Sequence, residues 1–316
     1  MPLDPQIQTV LQAVKAAALP EFWQLTPDQA REQYKQRIKR MDVRDEPIHE
    51  VEDKPIEGPE GGALMLRIYR PRKAESGELM PALVWYHGGG FVIGDLDTHD
   101  TACRQLAKAG DCIVVAVHYR LAPESRFPAA VDDSMAALRW LARRGHEIGV
   151  DPDRIATGGD SAGGNLATVC ALLARNEGFP KLSLQLLIYP CVAPEPETAS
   201  HYAFAEGHLL TRKTLTWFYK QYIRNSTDTR DFRFGPLIAE DFSNLPPAFV
   251  LVAGYDPLRD EGVQYAAKLI EAGNRCTLVN YEGMVHGFLL MPGAVDAVKR
   301  AVADSGAALR AAFARR

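Results

Sequence analysis

The sequence predicts an α/β fold: a mostly parallel sheet with helices on both faces and a helical cap over one end. Three observations carry this. Short, wholly apolar runs such as Ala82-Leu83-Val84-Trp85-Tyr86 and Ile113-Val114-Val115-Ala116-Val117 recur along the chain, and strands apolar on both faces belong to sheets buried on both sides. The runs alternate with helix-compatible segments, as in sheets whose parallel strands are joined by crossover helices. A glycine-rich pentapeptide, Gly159-Asp160-Ser161-Ala162-Gly163, stands where one such run meets a helix.

The first fifty residues read apart from the rest. Ile7, Val10, Leu11, Val14 and Ala18 fall at helical spacing, and Pro20 ends that helix. A second helix begins at Thr26-Pro27-Asp28, with an N-cap, a proline in the first turn and an acid behind it, and runs to about Arg40. Strands follow, residues 64–69 alternating as a half-buried strand does. Helices are expected over 98–109, 128–144 and 165–175, and strands over 154–158, 184–188, 249–252 and 276–281. The last helix carries Val295, Val298, Val302, Leu309 and Phe313 on one stripe. Gly306 interrupts it, either as a weak point or to let a neighbour approach. Residues 190–245 are too long for a plain connection. Their centre, 209–223, reads as helix and holds Trp217, Phe218, Tyr219 and Tyr222. The expected organisation is N-terminal cap helices (1–50), a first part of the core (51–190), a cap insertion (191–245) and a second part of the core (246–316).

Composition narrows the function. At 47% hydrophobic and 24% charged residues, the 316-residue chain can bury enough apolar surface to fold, which excludes disorder as its main state. A net charge of −4 lacks the basic excess of a nucleic-acid binder. No apolar run approaches the roughly 18 residues of a membrane span, and no signal peptide is visible at the N-terminus. Five cysteines without a C-x-x-C pair suit a reducing compartment, so a cytoplasmic location is expected. No H-E-x-x-H and no clustered Cys/His set is present, so neither metal nor cofactor is expected.

The pentapeptide matches G-x-S-x-G in the strand-to-helix context that gives the motif its meaning. The sharp turn would hold Ser161 in a strained backbone, its hydroxyl above the sheet near the positive end of a helix. A phosphate cradle at a helix start is the competing reading. His87-Gly88-Gly89-Gly90-Phe91 closes the strand ending at Tyr86. Its glycines can turn N–H groups toward a developing oxyanion with no Cβ in the way, although a flexible turn would read the same. The candidate oxyanion-hole residues are Gly88, Gly89, Gly90 and Ala162, with Gly89 and Gly90 as two donors and Ala162 as a third. His87 is expected to support them by hydrogen bonding. In hydrolases of this motif the acid and then the base follow the serine in the chain. Asp256 lies just past the strand 249–252; Asp260, one turn into the next helix, is its rival. His286 lies between Gly283 and Gly287 in the loop after the strand 276–281. The expected scheme has His286 take the Ser161 proton while Asp256 orients the imidazole. The other six histidines (His49, His99, His118, His146, His201, His208) read as surface or packing residues. Phe22, Trp23, Tyr202, Phe204, Leu210, Trp217 and Phe218 either line a substrate pocket or form the cap's own core; Phe91, Tyr189 and Val285 complete the candidate pocket.

Together these pieces resemble the hormone-sensitive-lipase-like esterases, bacterial family IV of the α/β-hydrolase superfamily. The resemblance rests on Tyr86-His87-Gly88-Gly89-Gly90-Phe91, Tyr119-Arg120-Leu121-Ala122-Pro123-Glu124, Gly159-Asp160-Ser161-Ala162-Gly163-Gly164-Asn165-Leu166, Asp256-Pro257-Leu258-Arg259-Asp260-Glu261-Gly262 and His286-Gly287-Phe288, in this order over roughly residues 50–316. It implies the α/β-hydrolase fold with an eight-stranded, mostly parallel sheet and a helical cap. It also implies a metal-free serine carboxylesterase for short- to medium-chain esters, often a homodimer. The expected partner is a small-molecule ester, with no nucleic acid and no membrane. Glu124 and Asp160 match positions that support the catalytic loops through buried hydrogen bonds, although a plain structural ion pair also fits Glu124. An amidase or deacetylase on the same triad remains an alternative; a non-catalytic receptor is disfavoured because Ser161, Asp256 and His286 are all present.

Overall fold

The computed structural model describes residues 2–43 and 46–314. Helices α1 (Pro5–Ala17) and α2 (Pro27–Met41) precede strands β1 (Glu50–Glu57), β2 (Ala63–Arg70) and β3 (Met80–Tyr86). Helix α3 (Asp100–Gly110) then leads to β4 (Ile113–His118), α4 (Ala129–Arg144) to β5 (Val150–Asp160), and α5 (Ala162–Glu177) to β6 (Leu184–Ile188). The long interval holds α6 (Ala199–Ala203) and α7 (Arg212–Tyr222), and the chain finishes with β7 (Ala248–Tyr255), α8 (Arg259–Glu271), β8 (Cys276–Val285) and α9 (Ala297–Phe313).

All eight strands form one sheet in the order β1-β2-β4-β3-β5-β6-β7-β8. The β1/β2 and β2/β4 pairs are antiparallel and the rest parallel, so the predicted α/β-hydrolase sheet is present. Strand β3 shows why its sequence is apolar throughout. Ala82, Val84 and Tyr86 pack with the residues of α4, α5 and α8, whereas Leu83 and Trp85 face the other way, into the cluster of α3 and α9. Burying each large side chain of this kind contributes about 1.5–3 kcal/mol. The α3–α9 contact explains Gly306. A Cβ there would stand 2.5 Å from the Ala109 backbone, so the glycine lets two helices touch.

Helix α2 begins as predicted: the Gln29 N–H donates to the Thr26 hydroxyl, and the Thr26 N–H to the Gln29 side chain. Helix α1 lays Ile7 and Val10 on the α3/α9 side of the sheet and meets β8.

The strand order fixes where a site can form. From β3 the chain passes to β4 on one side and returns to β5 on the other. The loops after β3 and β5 therefore part at the carboxyl ends of neighbouring strands and leave a crevice between them.

Candidate active site

Strand β5 runs into α5 at Ser161, whose backbone lies at φ 54°, ψ −118°. A non-glycine residue there is strained and must be held by its surroundings. Three hydrogen bonds do so: Ser161 N–H donates to the Ile188 carbonyl, and Cys191 and Asn165 N–H donate to the Ser161 carbonyl. The turn also needs close approach. A Cβ on Gly163 would stand 1.8 Å from the Tyr86 carbonyl oxygen.

His286 follows β8 and Asp256 follows β7; the two strands are paired in parallel, which brings both residues to one sheet edge. His286 Nε2 lies 2.9 Å from Ser161 Oγ, and Nδ1 lies 2.7 Å from Asp256 Oδ2. With Nδ1–H donating to Asp256, Nε2 is free to accept from the serine hydroxyl. Asp256 is fully buried, and its other oxygen accepts the Leu258 N–H at 2.8 Å. Asp260 is elsewhere: it accepts the Ser200 N–H and pairs with Arg259.

Gly89 and Gly90, at φ 120° and 59°, line a cavity with Ser161, Ala162 and His286. Among the described residues, the N–H groups of Gly89, Gly90 and Ala162 have no acceptor within the protein. Gly88 is different and leaves the donor set. Its N–H donates to Asp160 Oδ1 at 2.9 Å, and a donor held by a buried carboxylate cannot serve an oxyanion. Gly90 also seats the insertion: a Cβ there would come within 2.2 Å of the Phe218 ring.

Behind this loop the polar groups are buried. Burial pushes the Asp160 carboxyl up, but neighbouring His99 and the Gly88 N–H hold it below its ordinary value. His99, read from sequence only as a surface or packing residue, thus becomes the partner of Asp160, with Nε2 at 3.2 Å. His87 stacks on Tyr119 with ring centroids 4.2 Å apart, and its Nδ1 meets the Gly88 carbonyl at 2.8 Å. Burial lowers its pKa to about 3, which keeps it neutral.

Of its two expected readings, Glu124 takes the ion pair. Its side chain is 58% exposed and pairs with Arg31 at 2.6 Å, so the ion-pair reading holds and the buried-support reading does not. Arg31 also donates to the Val92 and Ala122 carbonyls and so fastens α2 beside the loop after β3. Buried support comes instead from Glu261, which sequence reasoning missed although it lies in the motif after Asp256. Fully buried, it accepts the Val192 and Ala193 N–H groups at the root of the insertion and faces His201 at 3.2 Å.

Of the expected pocket residues, Phe22, Phe91, Leu210 and Phe218 line the cavity. Trp23, Tyr189, Trp217 and Val285 do not. Trp23 is on the surface beneath Lys213, and Trp217 packs beside Phe218. Val285 is buried, and the Tyr189 ring rests against His286 from behind, with centroids 4.7 Å apart. Tyr202 is exposed, and Phe204 packs on Tyr255. Walls that were not anticipated come from Tyr34, Arg37, Ile38 and Met41 of α2 and from Leu215 and Tyr219 of α7. Residues three and four apart share a helix face, as Tyr34, Arg37, Ile38 and Met41 do, and only docking reveals which face turns inward. The cavity measures about 100 Å³, the order of size that takes up one benzene ring. Among the described residues, no group of three or more His, Cys, Asp or Glu is placed to hold a metal ion, and no helix is long and apolar enough to cross a membrane.

Comparison with known proteins agrees with this fold. A family profile described as alpha/beta hydrolase fold matches residues 83–290. The chain is 40% identical to the esterase LipI of Mycobacterium tuberculosis over 312 residues, covering 98% of this chain and 94% of that one. It is 38% identical to an ethyl acetate hydrolase of Pseudomonas putida, over 94% and 95% of the two chains. Among solved structures, the ester-hydrolase EH1AB1 from the metagenome of Lake Arreo superposes with a TM-score of 0.95 at 41% identity, over 99% of both chains.

Proposed function

We propose a serine-esterase mechanism on this premise: the chain belongs to the α/β-hydrolase family, and within it to the hormone-sensitive-lipase-like carboxylic ester hydrolases. Ser161 Oγ attacks the ester carbonyl as His286 takes its proton, and Asp256 orients the imidazole and stabilises its charged form. The oxyanion is met by the N–H groups of Gly89, Gly90 and Ala162, donors with no competing acceptor among the described residues. The protonated imidazole then releases the alcohol, and water activated by His286 hydrolyses the acyl-enzyme. His87, Asp160 and Glu261 position the loops. The observation that carries this reading is the unbroken relay Asp256–His286–Ser161, which opens on an apolar cavity.

The small cavity supports a preference for short to medium acyl chains. Segments 1–50 and 191–245 act in this reading as a cap on the core formed by 51–190 and 246–316; α2 and α7 supply the walls, while α1 serves as a footing on β8. Cytoplasmic residence, supported by the unpaired thiols, and homodimer formation, supported by the edge position of β8, belong to the same proposal.

The test is a panel of p-nitrophenyl acetate, butyrate, octanoate and palmitate, with an anilide and an acetylated sugar beside them. Acetate to octanoate should be turned over with a pre-steady-state burst of nitrophenol, and palmitate poorly. Faster cleavage of the anilide or the sugar acetate would replace the esterase reading by the amidase or deacetylase one. The two acids separate in the same assay. Asp256→Asn should lose on the order of 10⁴-fold in kcat, because the imidazole is left in the wrong tautomer. Asp260→Asn should change kcat less than about tenfold and cost about 1 kcal/mol of stability through its bond to Ser200. A reversed ranking would exchange their roles.

A further inference from the structure

Helix α2 turns two polar side chains into the cavity that have no hydrogen-bonding or ionic partner among the described residues. Tyr34 and Arg37 lie three residues apart on one helix face and line the same space as Ser161 and His286. Their neighbours on α2 are paired: Arg31 with Asp28 and Glu124, Lys35 with Asp95. Arg37 has no carboxylate or carbonyl partner among the described residues; its guanidinium carbon lies 5.8 Å from the Phe22 ring centre. The Tyr34 ring packs edge-on against Phe22, and its hydroxyl has no hydrogen-bond partner among the described residues.

Burial lowers the Arg37 pKa and raises that of Tyr34. A guanidinium nonetheless stays charged, and the phenol keeps a proton to donate. A half-buried cation without a counter-ion carries a desolvation cost that an entering anion would offset. Carboxylate is the matching group, since it can take a planar fork of two guanidinium N–H donors and the phenolic O–H as well. Asp160, the carboxylate at the cavity edge, is already engaged by Gly88 N–H and His99. Exposed Lys39 and Arg40, without ion pairs among the described residues, extend the positive field along the helix.

We propose that Arg37, with Tyr34, forms a carboxylate-binding subsite, and that the preferred esters carry a free carboxylate on their acyl or alcohol arm. The proposal rests on the esterase reading above. Hydrolysis adds one water across the scissile acyl C–O bond. A half-ester of a dicarboxylic acid then yields the dicarboxylate and an alcohol; an acylated hydroxy acid yields a monocarboxylate and the hydroxy acid.

Two matched pairs distinguish the arms: mono-p-nitrophenyl glutarate against p-nitrophenyl pentanoate, and 3-acetoxypropanoate against propyl acetate. In at least one pair the anionic ester should win by roughly tenfold or more in kcat/KM. Arg37→Met should remove most of that ratio, Arg37→Lys part of it and Tyr34→Phe a smaller part, with melting curves reporting on the fold. An unchanged ratio in folded Arg37→Met, or no anionic preference in either pair, overturns the subsite and leaves the esterase reading standing. If no ester is cleaved, the esterase reading fails while binding still decides the subsite. Glutarate should bind the Ser161→Ala protein roughly tenfold or more tighter than it binds Ser161→Ala/Arg37→Met by calorimetry, and equal affinity overturns the proposal.

Discussion

Ser161→Ala is expected to lower kcat for p-nitrophenyl butyrate by on the order of 10⁵-fold while the protein stays folded. The substitution deletes the oxygen 2.9 Å from His286 Nε2 and nothing else. The cavity walls and the N–H groups at Gly89, Gly90 and Ala162 remain, so binding and oxyanion stabilisation persist and leave a residual acceleration of about 10³–10⁴ over water. The strained backbone also remains, because alanine bears the same Cβ as serine at φ 54°. Adding His286→Ala should cost almost nothing further, since the two residues act as one unit. Folded Ser161→Ala protein with a tenth of the original rate would remove Ser161 as nucleophile.

The second large effect concerns stability. Gly163→Ala is expected to cost about 4 kcal/mol or more, enough to prevent folding in many hosts. Its new methyl would lie 1.8 Å from the Tyr86 carbonyl oxygen and 2.8 Å from that of His87. Both obstacles are backbone at the end of β3, between β4 and β5 in the sheet, so neither can rotate aside. Gly149→Ala is the control. That glycine has φ 82° with nothing within 4 Å of its would-be Cβ, so only left-handed strain of about 1–2 kcal/mol applies. Urea unfolding of the two variants compares a clash with strain alone. Equal midpoints would mean that the turn can open to admit a methyl group.

The centre of the sheet was legible because β3, β4, β6 and β7 are largely apolar on both faces, a pattern that survives in one dimension. Strand ends were less so. β5 starts at Val150, four residues before the expected start at Arg154, and Val150 finds its partner in Met80 on neighbouring β3. Ser161 and the loop at Gly89 could be read locally, because a sharp turn restricts which residues fit. Which N–H stays free could not: Gly88 is claimed by Asp160, 72 residues away. The cap walls were hardest. Phe22 and Trp23 are adjacent and equally apolar, yet one faces the cavity and the other solvent. Arg37 sits in a run of charges resembling any solvated helix face, and what sets it apart is that it faces the cavity without an ionic partner among the described residues.

The seat of Phe218 on Gly90 ties selectivity to turnover. In the proposed mechanism the Phe218 ring that bounds the substrate rests directly on Gly90, a residue that would lend an N–H to the oxyanion. A bulky acyl group that presses the ring onto Gly90 is then expected to shift the donor as well. In kinetic language, affinity and turnover number then change together, so discrimination against oversized substrates is expressed in the rate of the chemical step as well as in occupancy.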